Sequence, residues 1–519
     1  MKYFGWIFLF FIVMFIIPLA SRPMIGPEEF AEALPAMDMV KNSYYAVVPR
    51  APETPPMTHW VTAASYNLFG INSFAARLPS ALAAGLTAIL IALLVQQHLR
   101  DEKLAALSAT VYLSLLAVFF YGTVTLPVMF TVMAMAGSLG TIFLALQEVK
   151  FNRRKFLLCV LSGLFAALAI LSGGIYSLLI PVITALVYIA ISGKWKDLLF
   201  ITLPFLICAA APVLPWILQL ALGPAEMLNE FLRFKSSPTP WYNYLLVIIA
   251  GLFPVWILIP ASLMTGKDSW KRLFNQPLCK FACCAAAVPL VYALAFRNTE
   301  LWTMQIAFPA LAILTALGLQ AYFNTGGHHR SFNWMLNLWA TLLVLTGLAE
   351  VILWFFPRFY EPVFAQLPFK PVILLSLGVV SLLGGGTLLY SRRGNWRSRL
   401  YLFFFSVAIL PLGFSWSIKE NTFMPEAEFR MFIEVLDIIP EKSTFYTGEK
   451  YVPVLQWCTG EKVNSISCVS DIPSEAGSKP VYVIMENDSV LIKNFPAANK
   501  QIISGRNFSC IAIAPATDK

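Results

Sequence analysis

Gly26-Pro27-Glu28-Glu29 places two adjacent carboxylates just after the first apolar run of the chain. At a membrane surface such a pair can take a proton from an attacking hydroxyl or hold a divalent cation. The plain alternative is a solvated acidic turn capping a helix that begins near Glu29. A second cluster reads Glu53-Thr54-Pro55-Pro56-Met57-Thr58-His59-Trp60. The diproline stiffens the chain, and Trp60 suits the membrane interface. Read plainly, this is a loop returning to the bilayer, with His59 structural. In the third cluster, Phe74-Ala75-Ala76-Arg77-Leu78-Pro79, Arg77 is a candidate for gripping phosphate. Read plainly, Arg77 snorkels to the interface. Arg50, Arg233 and Arg297 are further cations of the polar connections that suit phosphate.

The elements that must position these groups belong to a membrane protein. The 519 residues are 58% hydrophobic and 13% charged, with a mean hydropathy of +0.70. Soluble domains carry about 25% charged residues. A chain this apolar cannot cover its surface with polar groups in water. Lipid is the solvent that permits it, because a bilayer-facing surface may be apolar all round. The formal charge of +9 fits basic loops on one membrane face, and no nucleic-acid motif competes with that reading. The eight cysteines show no metal-binding spacing. Cys279, Cys283 and Cys284 fall in an apolar run. Two of Cys458, Cys468 and Cys510 are expected to be able to pair if their domain faces an oxidising compartment.

A membrane-crossing helix needs about 20 apolar residues. The run 3–20 is long, lacks a clean cleavage site, and reads as a retained first span rather than a signal peptide. Further runs at 79–95, 104–121, 125–147, 156–171, 175–191, 198–220, 244–264, 279–296, 302–323, 334–356, 372–390 and 400–416 predict about thirteen spans in all. Alternate connections are strongly basic, as in Lys150, Arg153, Arg154 and Lys155, or in Arg392, Arg393, Arg397 and Arg399. The positive-inside rule makes that set cytoplasmic, with the N-terminus inside and the C-terminus outside. Two polar segments stand apart. Residues 21–78 form a long proline-rich outer loop, in which 62–69 can lie along the membrane as a helix. From about residue 418 the composition becomes that of a soluble α/β domain. A helix is expected at 426–439 and strands at 443–446, 481–485 and 510–513. The expected division is 1–417 for the membrane domain and 418–519 for the outer domain.

The order of motifs carries a resemblance. Gly26-Pro27-Glu28-Glu29 precedes Pro55-Pro56-x-x-x-Trp60, then Leu68-Phe69-Gly70 and Arg77-Leu78-Pro79-Ser80. Arg100-Asp101, Tyr112-Leu113-Ser114-Leu115, Gly122-Thr123, Trp195-Lys196-Asp197-Leu198, Pro215-Trp216, Arg233-Phe234 and Ile249-Ala250-Gly251 follow. This pattern resembles the aminoarabinose transferases that modify lipid A (ArnT) and the related protein O-mannosyltransferases. The resemblance implies a GT-C-like fold: an all-α polytopic membrane protein with a small C-terminal soluble α/β domain. It implies an inner-membrane enzyme that takes a sugar from a polyprenyl-phosphate-linked donor and gives it to a lipid, glycan or protein acceptor on the outer face. Glu28 and Glu29 are then the catalytic candidates. Glu53, His59, Arg77, Arg233 and Arg297 are the candidates for substrate and phosphate. A divalent cation is the one cofactor left open.

The sequence departs from that family at several points. Glu28 stands for the family's Asp, and Phe30-Ala31-Glu32 follows without the usual Arg. Thr54 stands for a Lys, Val128 falls near the place of an Asp, and Ser172-Gly173 replaces Lys-Gly. Of a later basic segment only Arg297 survives. The alternative reading is therefore a catalytically degenerate relative that binds a lipid or a partner protein. A transporter is disfavoured, since the sequence suggests no pair of broken helices, no repeated halves and few intramembrane acids.

Overall fold

The computed structural model describes residues 3–21, 24, 26–43, 45, 54–150, 152–223, 240–260, 267–295, 301–324, 330–359, 372–391, 395–418, 425–466, 479–487, 500–505 and 508–513. Of the candidates above, Arg50, Glu53, Arg233, Arg297 and Cys468 lie outside the described residues.

The first span enters as α1 (Phe4–Phe11), continues through a π-helical turn at Ile12–Ile16, and ends as α2 (Ile17–Ser21). Two loop helices follow, α3 (Pro27–Asn42) and α4 (Met57–Phe69). Then come α5 (Ser73–Leu99), α6 (Glu102–Leu113), α7 (Leu116–Gly122), α8 (Val128–Gln147), α9 (Arg153–Gly173), α10 (Tyr176–Ser192) and α11 (Leu198–Leu222). The bundle is completed by α12 (Trp241–Gly251), α13 (Lys267–Asn275), α14 (Pro277–Ala295), α15 (Phe308–Asn324), α16 (Arg330–Trp354), α17 (Val372–Tyr390) and α18 (Trp396–Ile418). Among the described residues, eight helices are long and apolar enough to cross a membrane, or nine if one bent pair counts as a span. Shorter apolar helices lie at Phe4–Ala20, Ser177–Ser192 and Trp241–Gly251.

Small residues let these helices approach closely, the usual substitute for a hydrophobic driving force in lipid. A Cβ on Gly163 of α9 would lie 2.5 Å from the Phe205 carbonyl oxygen of α11. Gly347 of α16 meets the Gly378 carbonyl of α17 in the same way. The hydroxyls of Ser138 and Ser162 are 3.1 Å apart between α8 and α9.

Two expected spans are interrupted. The run 104–121 is not one helix: α6 and α7 meet at a 66° bend. Leu115 is extended there, and the Leu116 N–H donates to the Phe253 carbonyl at 2.8 Å. Phe253 lies just past the end of α12, where a Cβ on Gly251 would collide with Phe308 and Pro254 removes a donor. The run 244–264 therefore stops being α-helical at Gly251 and continues as a 3₁₀ turn at Val255–Leu258. Each break supplies the other's missing hydrogen bond. Irregular backbone at membrane depth is tolerated where protein buries it in this way. The expectation that the chain has no pair of broken helices is thus corrected.

The C-terminal domain contains α19 (Pro425–Val435), β1 (Thr444–Gly448), α20 (Val452–Thr459), β2 (Val463–Ile466), β3 (Val481–Glu486), β4 (Lys500–Ser504) and β5 (Phe508–Ile513). The sheet order is β2-β1-β3-β5-β4. β1 is parallel to β2 and β3, whereas β5 is antiparallel to β3 and β4. Alternation decides the two faces. Val481, Val483 and Met485 pack on one side with Ile511 and Ile513. Ile484, Phe445, Phe508 and Cys510 pack on the other, against α19 and α20. Cys458 and Cys510 are free thiols, so the expected pairing is not made between them. Cys458 faces the Glu426 carbonyl, Cys510 is buried in the sheet, and burial pushes both thiols up to about 12.

One hydrophobic cluster joins this domain to the first loop. Phe30, Leu34 and Met37 of α3 and Tyr66 of α4 pack with Trp457, Leu455 and Phe432. Trp457 is the hinge of that contact, with its ring 6.0 Å from Phe30 and 6.2 Å from Tyr66. Lys41 adds a hydrogen bond to the Gly460 carbonyl at 3.0 Å. The C-terminal domain and the acidic loop therefore pack against each other. Trp457→Ala is expected to remove about 3–5 kcal/mol of packing. Limited proteolysis should then cut residues 43–56 faster while α19 and the sheet persist. Unchanged cleavage would mean that α3 does not depend on the C-terminal domain.

Candidate active site

Gly26 opens α3 with φ +84°, a backbone state that strains any residue with a side chain. Pro27 occupies the first helical position, where its missing N–H costs nothing. Glu28 and Glu29 then fall in the first turn, where the helix dipole favours negative charge. Their environments differ. Glu28 is exposed, whereas Glu29 is 2% exposed. Glu29 Oε1 accepts the Thr125 N–H at 2.9 Å. That charge-assisted bond ties the acidic loop to the turn between α7 and α8.

The same turn reaches α5. The Ser80 hydroxyl donates to the Leu126 carbonyl at 3.3 Å. Arg77, three residues earlier and so on the same helix face, is fully buried. Its Nε donates to the Ser73 carbonyl at 2.9 Å. An arginine at 0% exposure is held inside the protein, so the snorkelling alternative does not describe it. Loop one, the α7–α8 turn and the N-terminal end of α5 are thereby linked through Glu29, Thr125, Leu126 and Ser80, with Arg77 one turn away.

α4 covers this corner. His59 is 3% exposed, 3.3 Å from the Thr54 hydroxyl and 3.9 Å from a Glu32 carboxylate oxygen. Burial lowers its pKa from 6.5 to about 4, against a smaller opposing effect of a hydrogen bond with the Glu32 backbone. At neutral pH His59 thus supplies a hydrogen bond rather than a charge. The sign of the linkage follows: a histidine held neutral in the fold contributes fully above 6.5 and loses that contribution as pH falls towards 4. Protease protection of the loop should fall across that window, and His59→Gln should flatten the dependence. An identical acid limb in His59→Gln would assign the transition to other groups. At its far end α4 leaves Leu68 and Phe69 exposed, an apolar tip suited to the membrane interface.

The comparisons with known proteins bear on the fold. The dolichyl-phosphate-mannose-protein mannosyltransferase family matches residues 53–218. The undecaprenyl phosphate-alpha-4-amino-4-deoxy-L-arabinose arabinosyl transferase of Shewanella sediminis is 27% identical over 71% of this chain and 68% of its own length. The protein of that name from Edwardsiella ictaluri is 28% identical over 76% and 73%. The crystal structure of ArnT from Cupriavidus metallidurans bound to undecaprenyl phosphate superposes with a TM-score of 0.78 at 17% identity, covering 99% of this chain and 98% of that one. The chain has an ArnT-like fold. The Archaeoglobus fulgidus oligosaccharyltransferase superposes more distantly, with a TM-score of 0.50 at 12% identity over 93% of this chain and 70% of that one.

In this chain the described candidates, Glu28, Glu29, His59 and Arg77, all lie on α3, α4 or the N-terminal end of α5. Val128 opens α8 and is 1% exposed, packed with Val132 and Ile180 in an apolar cluster. Among the described residues no three His, Cys, Asp or Glu side chains gather as a metal site. Sequence reasoning passed over Glu32 beside His59, Thr125, and Asp38, a carboxylate only 5% exposed on α3. The i, i+4 spacing of Glu28 and Glu32 on a helix beginning near Glu29 was the available signal for Glu32.

Proposed function

We propose that this protein transfers a sugar from a polyprenyl-phosphate carrier to a lipid A-like acceptor at the outer face of the inner membrane. The observation that carries the reading is the Glu29–Thr125 link. It fixes the first turn of α3 against the α5 corner and leaves Glu28 exposed beside it. Glu28 accepts the proton of an acceptor hydroxyl, whose oxygen attacks the anomeric carbon. The bond from that carbon to the carrier phosphate breaks, and the phosphate leaves as an anion. Arg77 is the cation proposed to stabilise that anion. Glu53, Arg233 and Arg297 complete the proposed set of substrate-binding residues. The names of the relatives support undecaprenyl phosphate as the carrier and 4-amino-4-deoxy-arabinose as the first sugar to test.

The proposed topology follows the charge asymmetry, with about thirteen spans, a cytoplasmic N-terminus and a periplasmic domain from residue 418. Purification in mild detergent followed by lipid mass spectrometry tests the carrier: undecaprenyl phosphate should co-purify or raise the melting temperature when added. Absence of any bound polyprenyl species, with no thermal shift, would remove this reading.

A further inference from the structure

We infer that the bundle face opposite Glu29 carries a second lipid site, selective for an anionic phospholipid of that leaflet. A cavity of about 300 Å³ opens there among the ends of α1, α6, α15 and α18. These four elements are distant in the chain and converge on this spot. Paired rings fix its walls. Trp6 meets Tyr401 edge-on at 5.5 Å, and Phe323 stacks on Trp396 at 3.8 Å.

The polar groups are arranged asymmetrically. Asp101 is the one carboxylate among the lining residues, and both its oxygens are engaged. Oδ1 accepts the Lys103 and Leu104 N–H groups, and Oδ2 accepts the Gln320 amide at 2.7 Å. Lys103 and Arg397 are exposed lining cations, and neither forms an ion pair among the described residues. Arg397 lies over the Trp396 ring at 5.2 Å, which holds its guanidinium at the rim. Leu107, Leu400 and Phe404 supply an apolar part of the lining.

Cations at the rim and apolar side chains in the wall match an amphiphile with a phosphate headgroup. A soluble anion would leave the apolar wall unused, and a zwitterionic lipid would gain less from the two cations. The four helices belong to the basic-loop face, where anionic headgroups concentrate cations. Occupancy would staple the first and last spans to α6 and α15.

The test uses the full-length protein, delipidated in detergent and offered equal dioleoyl phosphatidylglycerol and dioleoyl phosphatidylcholine, with native mass spectrometry as the readout. Two cations near an anionic headgroup should give roughly tenfold preferential retention of phosphatidylglycerol. The Lys103→Gln/Arg397→Gln double variant should lose the preference. Leu107→Trp, which fills the cavity and keeps both charges, should lose retention as well. Equal retention of the two lipids by the wild type would overturn the site. So would a preference that survives in both variants. Inorganic phosphate alone protecting the wild type from heat as well as phosphatidylglycerol does would replace the lipid by a free anion.

Discussion

Glu28→Gln is expected to lower sugar transfer by about 10²–10⁴-fold, the usual range for a lost general base. The substitution keeps the shape and removes the proton-accepting charge. Glu28 is exposed in the first turn of α3, so nothing in the packing depends on its charge. Stability and carrier binding should stay near wild type, and the loss should appear in kcat. Glu29→Gln makes the contrast. It weakens the bond to the Thr125 N–H, which positions the loop. Hydrogen bonds to charged groups are worth about 1.5–3 kcal/mol. A smaller loss, roughly 10- to 100-fold, is expected there, accompanied by faster proteolysis of the loop. If both variants transfer sugar at the wild-type rate, the base lies elsewhere.

Arg77→Gln is expected to have the second-largest effect, about 10²–10³-fold on transfer, comparable to removal of one preorganised donor from a developing anion. Its full burial makes the charge effective, because little water screens it. Arg77→Lys keeps the charge without the planar fork and should recover only part of the loss. The readout that separates chemistry from folding is carrier affinity. A phosphate-gripping Arg77 should weaken undecaprenyl phosphate binding in Arg77→Gln while the Trp457 contact still protects the loop. Unchanged carrier affinity with a lowered melting temperature would make Arg77 a structural residue.

Much of the membrane domain was legible because span length and apolarity are imposed by the bilayer. The predicted run 372–390 coincides with Val372–Tyr390, and 198–220 falls short of Leu198–Leu222 by two residues. The α6–α7 break was not legible, because Leu115 and Leu116 are as apolar as their neighbours. Its cause is the Phe253 carbonyl, more than a hundred residues away in the chain. In the C-terminal domain β1, β3 and β5 showed as short apolar runs. β4, with Lys500, Gln501 and Ser504, is too polar to stand out. At the site, the acidic pair was visible as a motif. The different burial of its two carboxylates was not, because the bonding partner of Glu29 is 96 residues away. The depth of Arg77 was likewise invisible, since an arginine opening a span reads the same whether lipid or protein surrounds it.

The most direct test of sugar transfer is a stoichiometric one. Purified protein in liposomes is given undecaprenyl-phosphate-linked 4-amino-4-deoxy-arabinose and lipid A, and both products are followed by mass spectrometry. The expected result is glycosylated lipid A and free undecaprenyl phosphate appearing in equal amounts with the wild type, and neither above background with Glu28→Gln. Carrier bound by the wild type, with no glycosylated product from this donor or from other polyprenyl-phosphate sugars and acceptors, would contradict the account.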